Sequence, residues 1–211
     1  MISARRAATW LLAVLLIGTT GCHRGRASSL RTASERAQIY AIVLNDIPAD
    51  SVARPVVIDA LLPSTDLDVE QHDKVMQALS IDRALLNAFL AAQQRTNERF
   101  DARTLTETRW TVVRARRLDS LRTEARAATA IASPGRSTRT DPFWQQWYRL
   151  YPASGGYVVL APAGVSSDGA AALVQVRIVC GPTCGETVLR LLRRDAGGAW
   201  RLTGRVRLAE S

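Results

Sequence analysis

The chain has 211 residues, 47% of them hydrophobic, and a formal net charge of +9. This length and composition are ordinary for a globular protein with one domain or two small ones. Lys74 is the only lysine, so arginine carries the positive charge, either through a coding bias or because the protein meets an anionic partner. The composition argues against a zinc or copper site, since the only histidines are His23 and His72 and only two residues are methionine.

The N-terminus has the layout of a secretory signal peptide, which we predict over residues 1–21. Arg5 and Arg6 form a basic start, an apolar run follows over residues 7–18, and small side chains occupy residues 19–21. The apolar run has about a dozen residues, whereas a transmembrane helix needs about 20. Cleavage nearby, leaving a soluble exported protein, and an uncleaved short anchor stay open as alternatives.

Residues 19–22 read TTGC and resemble the lipobox of bacterial lipoproteins, with Gly21 directly before Cys22. The resemblance implies that Cys22 is the first residue of the mature protein and carries acyl chains such as palmitate. These chains would hold the protein at a bacterial cell-envelope membrane, on its periplasmic or outer side. The attachment would be firm, because each buried methylene contributes about 0.8 kcal/mol. Residues 22–33 are polar, small and basic, so we predict a flexible tether there.

Residues 34–211 are predicted to form a single α+β domain, which starts with a mainly helical part over residues 34–131. Apolar residues at three- and four-residue steps indicate helices, and short apolar runs between turn residues indicate strands. In chain order, the expected elements are a helix over 34–44 capped by Ser34, a strand over 54–62, helical residues 66–94, a strand over 110–113 and a helix over 118–130. Ser80 and Asp82 predict a break in the helical stretch and a new N-cap.

A loop is predicted over residues 132–140, followed by a short helix rich in aromatic residues. Asp141 supplies an N-cap, Pro142 suits the first helical turn, and Pro152 prevents continuation. Four aromatic side chains share a broad face of this helix: Phe143, Trp144, Trp147 and Tyr151. The face is either a ligand platform or, as the periodicity favours, the buried side of a helix that lies across a sheet.

Residues 141–211 are predicted to contain this helix and a four-stranded antiparallel meander packed on it. The expected strands, joined by short turns, are 157–161, 172–179, 187–194 and 200–208. One face of the sheet is expected to be packed and the other exposed to water. In the last strand, the packed face would hold Trp200, Leu202, Val206 and Leu208, and the exposed face Arg201, Thr203, Arg205 and Arg207.

The water-exposed face of the meander is predicted to collect arginine side chains. If the strands pair in the expected register, six arginines lie on it: Arg177, Arg190, Arg194, Arg201, Arg205 and Arg207. Because the planar guanidinium suits the geometry of phosphate, these residues are candidates for binding an anion.

The stretch VCGPTCGE, residues 179–186, lies between two predicted strands, so Cys180 and Cys184 flank a hairpin tip. An even pair of cysteines in an oxidising compartment favours a disulfide. Paired strands also bring facing Cα atoms to about 5.5 Å, which a disulfide accepts. A thioredoxin-type pair would need a helix after the first cysteine and a shorter spacing. A redox-active pair, a metal site and free thiols stay open as alternatives.

Residues 144–200 are similar to a group of exported bacterial proteins without a known activity. The resemblance rests on W-x-x-W-Y-x-x-Y-P-x-S-x-G from Trp144, then A-A-L-V-x-V, C-G-x-x-C-G, and L-x-R-x-x-G-G-x-W ending at Trp200. It implies a shared type of fold and indicates no mechanism.

The sequence contains no catalytic constellation that we recognise. Phosphate-loop, dinucleotide, metalloprotease and hydrolase-elbow motifs are absent, and His72 is the only histidine of the folded part that could act as a base. The acidic run over residues 66–73 could hold calcium, but it lacks the glycine and the bidentate glutamate of a calcium loop. It is typical of a helix start, which favours negative charge.

Two functions therefore stay open. The first is a non-catalytic envelope lipoprotein that binds a protein or ligand through its sheet face or its aromatic helix. The second is a binder of lipid headgroups, polysaccharide or another polyanion through the arginine face. Export argues against nucleic acid as a partner, no cofactor or metal is predicted, and a thiol oxidoreductase is a more distant third interpretation.

Overall fold

The computed structural model describes residues 21–47, 55–63, 67–95, 98–100, 105, 110–131 and 141–210. Residues 1–20 of the predicted signal peptide, the predicted loop over 132–140 and the side chain of Cys22 lie outside the described residues. The chain divides into two units, residues 1–36 and 37–211. The described part of the first unit is the start of helix α1, and all other elements belong to the second unit.

Helix α1, Gly21–Asn45, is longer than the sequence predicts. It begins well before the expected cap Ser34 and includes residues 22–33, for which a flexible tether is predicted. Within the second unit, its apolar side chains Ile39 and Val43 are fully buried. Among the described residues, no helix is long and apolar enough to cross a membrane.

The predicted break in the next helical stretch is confirmed. Helix α2, Val69–Leu79, ends at Ser80, which takes a left-handed conformation with φ of 50°. Helix α3, Arg83–Ala92, begins after Asp82, whose carboxylate accepts a hydrogen bond of 2.8 Å from the backbone N–H of Leu85. The side-chain cap satisfies one of the N–H groups that lack a partner within the helix, so the second helix starts where the sequence predicts.

Two further helices agree with the predicted ones. Helix α4, Ala115–Ile131, covers the expected basic helix, and helix α5, Pro142–Leu150, is the aromatic helix. Asp141 caps α5 by accepting a 2.8 Å hydrogen bond from the N–H of Phe143. Pro142 follows at the first helical position, where its missing N–H costs nothing.

The strands of the described residues form one sheet of seven. They are β1 (Val56–Leu61), β2 (Thr111–Val113), β3 (Tyr157–Leu160), β4 (Gly164–Val165), β5 (Ala171–Gly181), β6 (Cys184–Arg194) and β7 (Trp200–Glu210). Their spatial order is β2-β1-β3-β5-β6-β7, and the short β4 pairs with β5. Strand β1 is parallel to both β2 and β3, and the pairs from β3 through β7 are antiparallel.

The α+β class is confirmed, but a four-stranded antiparallel meander is the wrong description of the sheet. The sheet is mixed, because β1 and β2 extend it beyond β3 through parallel pairing. The strands predicted over 54–62 and 110–113 are present, but the sequence does not show where they lie in the sheet.

Helices cover both faces of this sheet. Helix α1 packs on one face, in a cluster with alternate strand residues such as Val174 and Leu192. On the other face, α4 and α5 pack over β1 and β3, while α2 and α3 pack over β5, β6 and β7. Six consecutive residues of β5, 171–176, are buried as a result. The predicted division into one packed and one water-exposed face is therefore wrong for the centre of the sheet.

Strand β7 changes the face on which its apolar side chains lie. Leu191 pairs with Gly204 and Leu192 with Leu202, so Thr203 is an extra residue in a β-bulge. Before the bulge, Trp200 and Leu202 belong to the cluster under α1; after it, the apolar residues pack toward α2 and α3. The prediction that all four apolar residues of this strand share a face is wrong, because an inserted residue reverses the alternation.

Candidate functional site

The predicted disulfide is present at the turn between β5 and β6. Cys180 and Cys184 are bonded, with Cα atoms 5.0 Å apart. Strand β6 begins at Cys184, so the helix that activates a thioredoxin-type cysteine is not found at this turn. The hydroxyl of Tyr148, on α5, donates a 2.8 Å hydrogen bond to the carbonyl of Cys180, and burial raises the pKa of this tyrosine. The disulfide fixes a hairpin tip that α5 also contacts.

The aromatic face of α5 is mostly core. Trp144 and Trp147 are buried in the cluster that α4 and α5 form over β1 and β3. The indole Nε1 of Trp147 donates a 3.0 Å hydrogen bond to the hydroxyl of Ser154, and the Trp144 ring stacks on Tyr157 with centroids 5.9 Å apart. These contacts satisfy the polar atom of Trp147 and leave its ring little surface for a ligand.

The six arginines of the predicted anion-binding face do not share a face. Four lie on the side that α1 covers: Arg190, Arg194, Arg205 and Arg207. The other two lie on the side that α2 to α5 cover: Arg177 and Arg201. Strand alternation and the bulge at Thr203 together produce this division.

Two of the six arginines are paired with carboxylates at the surface. Arg207 donates from Nε to Glu186 and from Nη1 to Glu210, both at 2.8 Å. Arg201 donates from Nε to Asp195 at 3.1 Å. Hydrogen bonds and the charges of Glu186 and Glu210 raise the pKa of Arg207 above its ordinary value. Such pairs reduce the positive charge that these residues offer an external anion.

Two more arginines are held in structural contacts. Arg190 is buried and pairs with Asp46. Arg194 donates to the carbonyl oxygens of Gly169 at 2.8 Å and Gly198 at 2.6 Å. Its guanidinium also lies 4.4 Å from the centroid of the Trp200 ring, a cation–π contact.

The two remaining arginines, Arg177 and Arg205, make no ion pair with any of the described residues. Both are exposed. Because they lie on opposite faces of the sheet, they cannot form one anion-binding surface together.

Arg177 lies in an open cleft of about 180 Å³ on the face of the sheet that carries α4 and α5. Tyr157 and Val159 line the cleft from β3, Gln175 and Arg177 line it from β5, and Arg122 reaches it from α4. None of the described residues that line it is a carboxylate. The cleft therefore joins two guanidinium groups and a phenol over an apolar floor.

The register of β3 and β5 explains how these groups meet. Tyr157 pairs with Val179 and Val159 pairs with Arg177, so Tyr157 and Arg177 are diagonal neighbours on the same face. Diagonal residues lie roughly 7–8 Å apart at their Cα atoms, within reach of long side chains. Nη2 of Arg122 donates a 3.2 Å hydrogen bond to the hydroxyl of Tyr157. Tyr157 thus contacts Arg122 and lies diagonal to Arg177 in the sheet.

Comparison with known proteins found no matching family model, no matching curated protein and no matching solved structure. The chemistry of the cleft follows from its own side chains. Two guanidinium forks and a hydroxyl that line one cleft from separate elements can donate hydrogen bonds to one anionic group.

The sequence reasoning missed two residues of this cleft, Arg122 and Tyr157. Arg122 lies on a helix whose position over β3 does not follow from its own periodicity. Tyr157 is the first residue of a predicted strand, and it is 5% exposed. One signal was available: Gln175 is a polar residue in an otherwise apolar run, and it is buried beside the cleft.

The acidic run over residues 66–73 spans the start of α2, and two of its described carboxylates make structural contacts. Asp68 caps α2 by accepting a 2.9 Å hydrogen bond from the N–H of Gln71, and Asp73 pairs with Arg83 at 3.2 Å. Within the described part of the chain, no three His, Cys, Asp or Glu side chains come together as metal ligands. The cap at Asp68 agrees with a helix start, where negative charge is favoured.

Proposed function

We propose that this chain is an exported lipoprotein, held at a cell-envelope membrane by lipid on Cys22, and that its α+β domain is a binding module. One observation carries the proposal: a basic start and an apolar run of about a dozen residues lead directly to the small residues TTG and then Cys22. The disulfide between Cys180 and Cys184 supports it, because such bonds persist in oxidising compartments and are rare in the cytosol.

A binding role is favoured over catalysis by the side chains available for chemistry. Both cysteines of the domain are bonded to each other, so neither offers a thiolate. His72 is the only histidine after the predicted signal and tether, and it lies on α2 among residues of a helix start. The cleft beside β3 offers donors and positive charge, which suit recognition of an anion.

Metabolic labelling with radioactive palmitate tests the anchor. We expect a labelled wild-type chain in the membrane fraction, and loss of the label in Cys22→Ser. The matched control is the double variant Cys180→Ser/Cys184→Ser, which changes the same residue type and should keep its label. An unlabelled wild-type chain in the soluble fraction would refute the anchor, whatever the domain binds.

A second candidate is polyanion binding by the arginines of the sheet. It is favoured by the formal charge, which falls only from +9 to +7 when Arg5 and Arg6 are removed with the signal. Their division between two faces and their carboxylate partners weaken it, since a polyanion needs a continuous positive surface. Retention on heparin tests it. Arg177→Gln and Arg205→Gln should each elute at lower salt than the wild type, because both exposed charges contribute to binding. Unchanged elution of both variants would remove this candidate.

A further inference from the structure

We infer that the cleft between α4 and strands β3 and β5 binds a phosphate group, held by Arg122 and Arg177 with the hydroxyl of Tyr157. This inference deepens the proposed binding role and rests on it. It assigns the ligand chemistry of one site, whereas the six-arginine prediction assigned a whole face of the sheet.

The electrostatics of the cleft favour an anion. Four of the six predicted arginines are neutralised or held by groups of the described chain, but Arg177 is exposed and makes no ion pair there. Among the described residues, Arg122 makes one long ion pair, 3.9 Å, with Asp119 on its own helix. Positive charge that nearby carboxylates compensate only weakly favours an anionic ligand, because a cleft with one sign of charge raises the local concentration of the opposite charge.

The geometry favours phosphate over carboxylate. A carboxylate is planar, and a single guanidinium fork can satisfy it. In this cleft, the donors come from separate elements: Arg122 from α4, Arg177 from β5 and the phenol of Tyr157 from β3. Phosphate oxygens point in tetrahedral directions, so they can accept hydrogen bonds from all three elements at once.

The size and floor of the cleft limit the ligand. A volume of about 180 Å³ is smaller than the pockets that enclose drug-sized molecules. Val159 and Val179 supply an apolar floor next to the charged groups. The ligand is therefore a small phosphorylated compound or the phosphate of a lipid headgroup, which share this chemistry.

Calorimetric titration of the full chain, purified from membranes in a neutral detergent, tests the inference. The probes are inorganic phosphate, glycerol 3-phosphate and short-chain phosphatidylglycerol, with acetate as the carboxylate control. Arg177→Gln and Arg122→Gln each remove one charged donor and should weaken phosphate binding about tenfold. The matched control is Arg205→Gln, another exposed strand arginine without an ion pair among the described residues, which should change binding less than about twofold.

The two sources of phosphate are separated by the probes. Tighter binding of glycerol 3-phosphate supports a free phosphate monoester, and tighter binding of phosphatidylglycerol supports a headgroup; either result supports the site. Three results would overturn it: no binding of any phosphate probe up to about 10 mM, acetate bound as tightly as phosphate, or equal losses in Arg177→Gln and Arg205→Gln. Arg177 is exposed, so its variant is expected to fold, and palmitate labelling tests the anchor separately.

Discussion

Arg190 and Asp46 join β6 to the end of α1 by an ion pair. The side chain of Arg190 is 4% exposed, and that of Asp46, one residue beyond the helix, is 38% exposed. Burial and the charge of Arg205 lower the pKa of Arg190 below its ordinary value. Among the described groups, its Nε has no hydrogen-bond acceptor. Asp46 is therefore the carboxylate that compensates a buried cation.

Asp46→Asn should destabilise the protein by about 2 kcal/mol. The change leaves the buried guanidinium without its counter-charge, and the partial exposure of Asp46 keeps the loss below that of a fully buried pair. Urea unfolding, followed by circular dichroism, measures the free energy of unfolding. The double variant Asp46→Asn/Arg190→Met removes the charge as well and should recover most of the loss. If it were less stable than Asp46→Asn alone, this explanation would fail.

Removing the disulfide should cost about 2 kcal/mol, because the bond closes only a short loop in the unfolded chain. The double variant Cys180→Ser/Cys184→Ser should keep its fold, since many backbone pairs join β5 and β6 away from the tip. Urea unfolding of this variant, and of the wild type with and without reductant, gives the value. Reductant should leave the variant unchanged. A wild type whose stability does not respond to reductant would contradict the prediction.

Gly164→Ala should destabilise the protein by about 3 kcal/mol. A Cβ at this position of β4 would overlap the backbone Cα and N of Phe89 on α3, and neither atom belongs to a flexible side chain. Gly181→Ala is the matched control on a strand, because its Cβ would lie at an ordinary 3.4 Å from the Cβ of Cys184. We expect the control to change the free energy of unfolding by less than about 0.5 kcal/mol. Equal effects of the two variants in thermal melts would contradict this packing.

Asp195 should contribute to acid sensitivity at the turn between β6 and β7. A hydrogen bond from Arg201, and others from the N–H groups of Ala199 and Gly197, lower the pKa of its carboxyl below 3.8. The pKa of Asp195 is lower in the folded state than in the unfolded state. Its stabilisation is therefore present above the ordinary pKa of an aspartate and is lost as the pH falls through the lower pKa of the folded state. Stability measured below pH 4 should fall less steeply in Asp195→Asn than in wild type. Asp73→Asn, an exposed acid in a surface ion pair, is the control, and a slope that changes only in the control would disprove the assignment.

Local signals predicted most of the elements. Asp82 and Asp141 are side-chain caps, and each begins a helix where the sequence places it, because capping depends on residues within one turn. The hairpin at Cys180 and Cys184 is likewise local, since alternating apolar residues flank a short turn. These features need no knowledge of the rest of the chain.

Long-range features could not be predicted in the same way. Strand β1 pairs in parallel with β3, and α2, α3, α4 and α5 lie between them in the chain, so no local pattern reports the pairing. The bulge at Thr203 leaves no local signal either. One inserted residue keeps the apolar pattern of β7 intact but moves the following apolar side chains to the other face of the sheet. Arg122 and Tyr157 meet only because α4 packs on β3, and the candidate cleft depends on that contact.

Intact mass spectrometry of the chain extracted from membranes tests the central claim, with and without reduction. We predict a polypeptide that starts at Cys22, carries the added mass of acyl chains, and gains about 2 Da when the bond between Cys180 and Cys184 is reduced to two thiols. An unprocessed, acyl-free chain with three reduced thiols would contradict the claim.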